Sequence, residues 1–295
     1  MTGTVSLIIA TCNRLESLLT TLQSVAGQHL DAHEVIVVDQ SARRFEYEQI
    51  VRSAYPFVSY ITLQKPNLPK ARNAGILHSN GDIILFIDDD VTLHDNFIAA
   101  HRSAHQKPNI ACVGGRIIQS SPAGTVVAFI DKTTGESRSN FNQTSGGEIL
   151  YACGCNMSFK RTALVKAGMF DQRFIGNALF EEVDLCFRLK RQGGAIWFEP
   201  GATLTHHQKT TGGCHEQKNA PYLIDRIHNH ALFYFRHIST VPSRFFLIYI
   251  RNIAEYASRR ADRSHDSAVL VKSIIAVIGA FFQSYLTVKQ PKRCL

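Results

Sequence analysis

The run Asp88-Asp89-Asp90 places three carboxylates directly after the apolar stretch Ile83–Ile87. Adjacent carboxylates repel each other, and a buried strand gains nothing by ending in them unless a cation or hydrogen-bond donors lie there. A hard divalent ion held by one or two carboxylates keeps coordination positions free for substrate phosphates. A solvated strand end or a helix cap would also accommodate these acids. The run by itself therefore leaves a metal site and a solvated strand end open.

A second acid and a basic helix start are predicted to share one edge of the sheet with this run. Asp39 ends another apolar stretch, which begins at Glu34, and Lys70 and Arg72 lie at the start of a helix. A helix N-terminus offers free N–H groups and the positive end of its dipole. Open α/β sheets bind ligands at the carboxyl ends of their strands. This edge thus combines a carboxylate for a base or a ribose, a cationic wall for phosphate and carboxylates for a metal.

Strand-length apolar runs alternate with helix-length segments in the first half of the chain. The predicted strands are Val5–Ala10, Glu34–Asp39, Phe57–Leu63 and Ile83–Ile87, and the helices run from Leu15 to Val25 and from Ala71 to His78. Such alternation predicts an α/β fold with a mostly parallel sheet flanked by helices and joined by right-handed crossovers. The sequence has no GxGxxG after the first strand and no GxxxxGK[ST], so neither a dinucleotide-binding fold nor a P-loop is supported.

The second half is less regular at first and becomes helical at its end. The segment Gln119–Gly147 is rich in Ser, Thr, Gly and Asn, and predicts mobile loops with one edge strand. The next predicted elements are helices at Arg161–Ala167 and Glu181–Gln192 and short strands at Ala195–Phe198 and Ala202–Thr205. Beyond Gly212-Gly213 the pattern is helical, which predicts a C-terminal helical region after the α/β part.

Composition narrows the class of protein. The 295 residues are 45% hydrophobic and 19% charged, values of a globular rather than a disordered chain. Seven cysteines without a CxxC pair predict reduced core thiols in a cytosolic protein. The N-terminus does not have the pattern of a signal peptide, and no apolar run reaches the roughly 20 residues of a spanning helix.

The tail holds most of the net charge of +8. Two helices are predicted there, at Arg244–Arg260 and Ala268–Val288, and Lys289, Lys292 and Arg293 follow the second one. A mainly apolar helix beside basic residues suits the headgroup region of an anionic membrane. Packing of these helices on the α/β part of the chain or on a second subunit explains the pattern equally well. No aromatic stacking platform for bases interleaves with the basic residues, so binding of nucleic acid is not predicted.

Four segments together resemble the nucleotide-binding half of the inverting family-two glycosyltransferases, which have the GT-A fold. These segments are Val5–Arg14, Val35–Ser41, Pro69–Gly75 and Ile83–Val91. The run from Leu68 to Gly75 resembles the family's PxxARNxG helix start, and the acidic run resembles its DxD motif. The resemblance implies that Asp88 reaches the ribose of the donor and that Asp90 holds Mn²⁺ or Mg²⁺ at the diphosphate.

The same resemblance assigns further residues to the donor. Thr11 and Asp39 would contact the nucleotide base, and Arg72 would contact the base or a phosphate. Gln40 departs from the Asp or Asn that the family usually has after the acid. We also expect contacts on the donor side from Asn13, Arg14, Asn73, Asp88 and Asp89.

The second half of the chain resembles the acceptor and catalytic elements of that family. Gly154–Arg161 resembles its GxNxxxRR segment, which implies that Gly154 and Asn156 lie on the acceptor side. Phe180–Leu189 resembles its EDxDLxxRL element, whose second acid is the general base. That acid aligns with Glu182, and Glu181 is the next candidate.

The predicted helix that begins at Glu181 also has a plainer reading in the residues themselves. Glu181 and Glu182 also complement a helix N-terminus, and Asp184 and Arg188 also form an ordinary i,i+4 pair.

His206 lies where related enzymes place a histidine that completes the metal shell, and we expect Asp88, Asp90 and His206 to form that shell. His207 is adjacent and could exchange roles with it.

These features predict a metal-dependent, inverting glycosyltransferase that acts on a nucleoside-diphosphate sugar. The acceptor would be a hydroxyl of a glycan or lipid-linked glycan in bacterial surface polysaccharide synthesis, and the enzyme would be cytoplasmic with peripheral contact to the inner membrane. We expect a GT-A catalytic domain over 1–212, divided into a nucleotide-sugar half, 1–118, and an acceptor half, 119–212, followed by a helical region, 213–295.

Two other functions remain open from the sequence. A sugar-1-phosphate nucleotidyltransferase would be expected to carry a Gly-rich basic loop directly after the first strand, and Thr11–Arg14 is not such a loop. A nucleotide- or carbohydrate-binding protein without catalysis would not need Asp88, Asp90 and Glu182 together.

Overall fold

A computed structural model describes residues 3–28, 31–119, 128–208 and 220–239, together with isolated positions beyond 239. Within these ranges the chain forms an α/β fold on one nine-stranded sheet and one two-stranded sheet. Most of the predicted tail helices Arg244–Arg260 and Ala268–Val288 lie outside the described residues, as does the division near residue 212. In the part of the chain that the structure describes, no helix is both long enough and apolar enough to cross a membrane.

The bounds of the elements follow the chain in this order. The strands are β1 (Val5–Thr11), β2 (Glu34–Asp39), β3 (Val58–Thr62), β4 (Ile83–Ile87), β5 (Val91–Leu93), β6 (Ile110–Ile118), β7 (Ala128–Ile130), β8 (Ser137–Ser139), β9 (Gly147–Glu148), β10 (Asn156–Lys160) and β11 (Ala195–His206). The helices are α1 (Leu15–Ala26), α2 (Arg44–Ala54), α3 (Leu68–His78), α4 (Phe97–Ala104), α5 (Arg161–Lys166), α6 (Glu181–Arg191) and α7 (Ala220–His237).

The first four strands form the parallel part of the sheet, in the order β3-β2-β1-β4. The side chains of β1, β2 and β4 are almost all buried, because helices cover a parallel sheet on both faces, whereas the edge strand β3 buries only Val58 and Tyr60. The register pairs Thr11 with Asp39, and Ile87 ends β4 directly before Asp88. The loops that follow β1, β2 and β4 therefore meet at one edge of the sheet, as predicted.

The sheet continues from β4 through β10, β6 and β11 to β5. β10 is antiparallel to both of its neighbours, whereas β11 runs parallel to β6 and antiparallel to β5. The two short strands predicted around Pro200-Gly201 are in fact the single strand β11, with a register shift between Glu199 and Thr203. Proline has no N–H for the ladder, so the strand bulges there and then resumes pairing. The α/β class and the mostly parallel sheet are confirmed.

The segment Gln119–Gly147 contains more structure than the loops and edge strand predicted for it. Residues 120–127 lie outside the described part, but β7 and β8 form a separate antiparallel hairpin and β9 pairs with β11. Asp131 closes the hairpin turn by accepting hydrogen bonds from the N–H groups of Thr133 and Thr134 at 2.7 and 2.8 Å. Strands of two or three residues are too short to show an alternating apolar pattern, which is why the sequence did not indicate them.

Buried ion pairs connect helix α7 to helix α6. Asp184 accepts a hydrogen bond from Arg188 at 2.9 Å, lies 2.7 Å from His237 Nε2 and pairs with Arg236. Arg236 also pairs with Asp171 at 2.7 Å. Burial alone would raise the pKa of Asp184, but Arg188, His237 and Arg236 hold that pKa well below its usual range. Asp184, the third acid of the predicted helix, therefore joins two helices rather than forming only an i,i+4 pair.

Asp184→Asn is expected to lower the free energy of unfolding by about 3–5 kcal/mol, because it leaves the buried guanidinium groups of Arg188 and Arg236 without their carboxylate. Chemical denaturation at neutral pH measures the change. Glu148→Gln is the matched control: Glu148 pairs with Lys190 at 2.6 Å, but its side chain is 61% exposed. Such a surface pair contributes less than about 1 kcal/mol. Equal, small losses in both variants would contradict a structural role for the buried ion pairs.

Candidate active site

Asp88 and Asp90 meet His206 at the carboxyl edge of β4. His206 Nε2 lies 3.1 Å from Asp90 Oδ1 and 3.9 Å from Asp88 Oδ2. One potential ligand atom from each residue lies within 4.8 Å of the other two. The pairing of β11 with β5 sets His206 opposite Val91, next to the acids in sequence. His207 instead directs its ring to Thr92, 2.8 Å away, so the structure selects His206.

The charges and donor atoms of this cluster suit a divalent cation. Burial alone would lower the pKa of His206, but Asp90 and Asp88 outweigh burial and raise it. The Asp90 side chain is 2% exposed and that of Asp88 is 36% exposed, so the cluster opens to solvent on the Asp88 side. Carboxylate oxygens suit Mg²⁺ and Mn²⁺, and an imidazole beside them suits Mn²⁺ better. The residues present therefore fit the metal that the resemblance implies.

Asp89, between these two acids, points toward the first loop of the chain. Thr11 Oγ1 donates a hydrogen bond to Asp89 at 2.7 Å, and Arg14 donates to it at 3.1 Å. Arg14 also lies 3.4 Å from Asp90. Burial raises the pKa of Asp89 to about 6, against the opposing effects of Thr11 and Arg14. These three predicted donor-side residues thus bond to each other and tie the loop after β1 to the acidic run.

Asp39 and Asn13 hold the loop after β2 in the same way. The fully buried Asp39 carboxylate accepts hydrogen bonds from the Ser41 N–H at 2.8 Å, from the Ser41 hydroxyl and from the Tyr60 hydroxyl at 2.8 Å. Asn13 donates its N–H to Ser41 Oγ at 2.6 Å and accepts from the Ala42 N–H at 3.1 Å. Three of the roughly four acceptor positions of this carboxylate are therefore engaged within the protein.

Arg72 connects the acidic run to the second half of the chain. Its Nη2 atom lies 3.6 Å from Asp88 Oδ1 and donates to the Gly154 carbonyl at 3.0 Å. Its Nη1 atom pairs with Glu181 at the start of α6. The guanidinium is buried and lies over the ring of Phe170, 5.4 Å from its centroid. One side chain thus fixes the spacing between residues from both predicted halves of the site.

Two asparagines that the sequence places at the site form buried cross-links. Asn73 donates to the Phe170 carbonyl at 2.8 Å and accepts from the Phe170 N–H at 3.0 Å. Asn156 donates to the carbonyls of Arg116 and Ala202, both at 3.0 Å. Asn73 thereby joins α3 to the segment before α6, and Asn156 stabilises the bulge in β11. Both amides are engaged within the protein, next to the site rather than open to it.

The direction in which α6 begins depends on α7. Phe180, directly before the first helical residue, has a φ of +73°, a conformation that is unfavourable for an aromatic residue. Its ring stacks on His230 and on Phe233, with centroid distances of 4.9 and 5.1 Å. Packing against α7 therefore holds the backbone turn that orients Glu181 and Glu182. No motif in the sequence indicates this support, because the stacking partners lie about fifty residues further along the chain.

Glu182 faces the same space as the acidic run. Burial raises the pKa of Glu182 and the charge of Asp88 adds to this, whereas its own backbone N–H and Arg72 oppose the shift. Glu182 and Asp88 both act electrostatically on Cys153, and so does His206. These residues therefore lie near one another instead of on opposite sides of the molecule. A partly buried carboxylate with a raised pKa is suited to accept a proton near neutral pH.

Glu181 has a different environment from that of its neighbour. Its side chain is 2% exposed and its carboxylate pairs with Arg72. This carboxylate is therefore engaged by a buried guanidinium within the protein. The structure therefore gives different environments to the two adjacent acids that the sequence ranked as first and second candidates.

The sequence profile described as "Glycosyl transferase family 2" matches residues 6–168, more than half of the chain. The chain belongs to glycosyl transferase family 2. The matched range contains the acidic run and Arg72, whereas His206 and the start of α6 lie beyond it.

Two curated relatives match this family 2 protein over 68% and 72% of its length. The succinoglycan biosynthesis protein ExoM of Rhizobium meliloti is 26% identical over 206 residues, which cover 68% of this chain and 66% of ExoM. The uncharacterized protein y4gI of Sinorhizobium fredii is 26% identical over 236 residues, which cover 72% of this chain and 26% of y4gI. The chain thus spans less than two thirds of the length of either relative.

A solved structure confirms the fold. The mannosyltransferase PcManGT from Pyrobaculum calidifontis, determined in complex with GDP-Man and Mn²⁺, superposes with a TM-score of 0.59. The identity is 14%, and the superposition covers 98% of this chain and 89% of that one. At this identity the match shows the GT-A fold of the family 2 protein, and the predicted fold is confirmed.

Proposed function

We propose that this protein is a metal-dependent, inverting glycosyltransferase that moves a sugar from a nucleoside-diphosphate sugar to a hydroxyl of a glycan or lipid-linked glycan. One observation carries the proposal: Arg72 contacts both Asp88 of the acidic run and Glu181 at the start of α6. The metal-capable cluster and the candidate base therefore share one edge of the sheet. The ExoM relative, named for succinoglycan biosynthesis, supports an acceptor of the surface polysaccharide class.

The donor side of the proposed reaction is built from the acidic run. Asp88, Asp90 and His206 would hold Mn²⁺ or Mg²⁺. When bound, such an ion offsets the negative charge that develops on the departing diphosphate. Arg14, beside Asp90, and Arg72, beside Asp88, bring two further positive charges to the same edge. These guanidinium groups orient the diphosphate and complement its charge.

The acceptor side is built around the start of α6. Glu182 takes the proton from the acceptor hydroxyl, which then attacks the anomeric carbon from the face opposite the leaving group. This single displacement inverts the configuration and forms no covalent bond with the protein. Glu181 keeps its ion pair with Arg72 and so positions the guanidinium between the two halves of the site. The proton therefore passes to the acid whose pKa is raised, not to the one held by arginine.

A donor screen tests this function. The purified protein is incubated with a panel of nucleoside-diphosphate sugars and Mn²⁺, with and without a chelator. Slow, chelator-sensitive release of nucleoside diphosphate is expected, because water replaces the missing acceptor. Pyrophosphate-dependent formation of a nucleoside triphosphate would identify a nucleotidyltransferase instead. Tight binding of a donor without any turnover, also after addition of glycan acceptors, would identify a binding protein.

A further inference from the structure

Two thiols meet in the turn that supports Arg72. The Sγ atoms of Cys153 and Cys155 lie 3.7 Å apart, and the Asn156 N–H closes the turn by donating to the Cys153 carbonyl at 3.0 Å. Cys153 is partly exposed and Cys155 is buried. Hydrogen bonding with Cys155 lowers the pKa of Cys153, which favours its thiolate. The turn thus places a partly exposed cysteine next to a buried one, with the two sulfur atoms 3.7 Å apart.

The other described cysteines do not have this combination. Cys112 and Cys186 interact with each other, but both are fully buried, so an oxidant in solution does not reach them. Cys12 is partly exposed, and its thiol donates to the Gln40 carbonyl at 3.7 Å. Within the described residues, the turn at Cys153–Cys155 is therefore where a thiol pair meets solvent.

The turn packs directly against the guanidinium of Arg72. The Gly154 carbonyl accepts the hydrogen bond from Nη2, and a Cβ atom added at Gly154 would lie 3.0 Å from that same nitrogen. A disulfide requires its sulfur atoms to approach to about 2.05 Å. Closing the gap between the two thiols therefore has to move the three-residue turn, and Gly154 cannot move without changing its contact with Arg72.

We propose that Cys153 and Cys155 form a reversible disulfide that weakens the hold of Gly154 on Arg72. The Cys153 thiolate attacks one sulfur of a low-molecular-weight disulfide, forms a mixed disulfide and releases one thiolate. Cys155 then loses its proton to solvent, attacks Cys153 Sγ and releases the second thiol. Two protein thiols are oxidised while one disulfide is reduced to two thiols. Excess small thiol reverses both steps.

Formation of the disulfide is tested first, without any assay of activity. The folded full-length protein is treated with oxidised glutathione, alkylated and digested with trypsin, and the peptide 139–160 carries both cysteines and no others. We expect this peptide to lose two hydrogen atoms and to resist alkylation, and to regain both thiols with reduced glutathione. Two free thiols after treatment, or a lasting mixed disulfide with glutathione, would overturn the proposal.

The effect on the site is tested by calorimetry with nucleoside diphosphate and Mn²⁺. This part rests on the proposed function. Oxidation is expected to weaken binding about tenfold, the usual worth of a charge-assisted hydrogen bond. Cys153→Ala and Cys155→Ala, each tested alone, should abolish the response to oxidant, whereas Cys12→Ala should retain it. A disulfide that leaves affinity unchanged, or a response that persists in both turn variants, would refute the link to Arg72.

The two proposals fail in different ways. If the reduced protein does not bind any nucleoside diphosphate, the proposed function is wrong, while the peptide map still decides whether the disulfide forms. If the reduced protein binds and the peptide 139–160 keeps two thiols, the transferase assignment stands and the thiol switch is wrong.

Discussion

Glu182→Gln is expected to lower the rate of sugar transfer by roughly 10²–10⁴-fold, the usual contribution of a positioned general base. Glutamine keeps the shape of the side chain but accepts no proton, so the affinity for the donor and Mn²⁺ should stay unchanged. The initial rate at saturating donor and acceptor measures the loss, and calorimetry with nucleoside diphosphate measures the affinity. The slow hydrolysis of the donor should fall by the same mechanism.

Two other glutamates, Glu148 and Glu181, serve as controls for Glu182→Gln. Glu148→Gln removes an exposed acid outside the site and should leave the rate unchanged. Glu181→Gln breaks the buried pair with Arg72, so it should weaken donor binding as well as transfer. A near-normal rate for Glu182→Gln, together with a selective loss of rate in Glu181→Gln, would move the role of base to Glu181.

Asp90→Ala is expected to reduce the metal-dependent affinity for nucleoside diphosphate by at least about 100-fold. Changes to residues that only support metal ligands already cost 10–100-fold, and a direct ligand should cost more. Asp90 is buried and 3.1 Å from His206, so its loss removes the least exposed carboxylate of the cluster. Calorimetry with and without Mn²⁺ separates the metal-dependent part of the binding.

Asp95→Ala is the matched control for Asp90, because Asp95 is an exposed acid five residues further along the same segment. It should bind nucleoside diphosphate as the unchanged protein does. Equal affinity of Asp90→Ala and the unchanged protein in the presence of Mn²⁺ would refute the assignment of the metal to this cluster.

The elements that the sequence predicted best are the buried parallel strands. β2 and β4 have the predicted bounds, Glu34–Asp39 and Ile83–Ile87, because a strand covered on both faces reads as a continuous apolar run. The helix predicted from Ala71 begins three residues earlier, at Leu68, where Asn67 caps it by accepting from the Lys70 N–H and Pro69 follows within the first turn. Signals of this kind depend only on neighbours in the chain.

Other elements were not visible in the sequence. Helix α2 buries Val51 and leaves most of its charged residues in solvent, so its apolar face is too narrow to stand out. β6 became apparent only as the partner of β10 and β11. The continuous strand β11 was divided in the prediction, because a proline within an apolar run normally ends a strand and the bulge that accommodates it depends on the partner strand.

The amino-acid sequence by itself determined which chemical groups this protein carries at the edge of its sheet. The acids follow buried strands and Arg72 lies at a helix start, and both facts are local. The tertiary structure decided how these groups are used. Strand pairing chose His206 over His207, and the ion pair with Arg72 separated Glu181 from Glu182. Those choices depend on contacts between residues far apart in the chain, and a local pattern does not encode them.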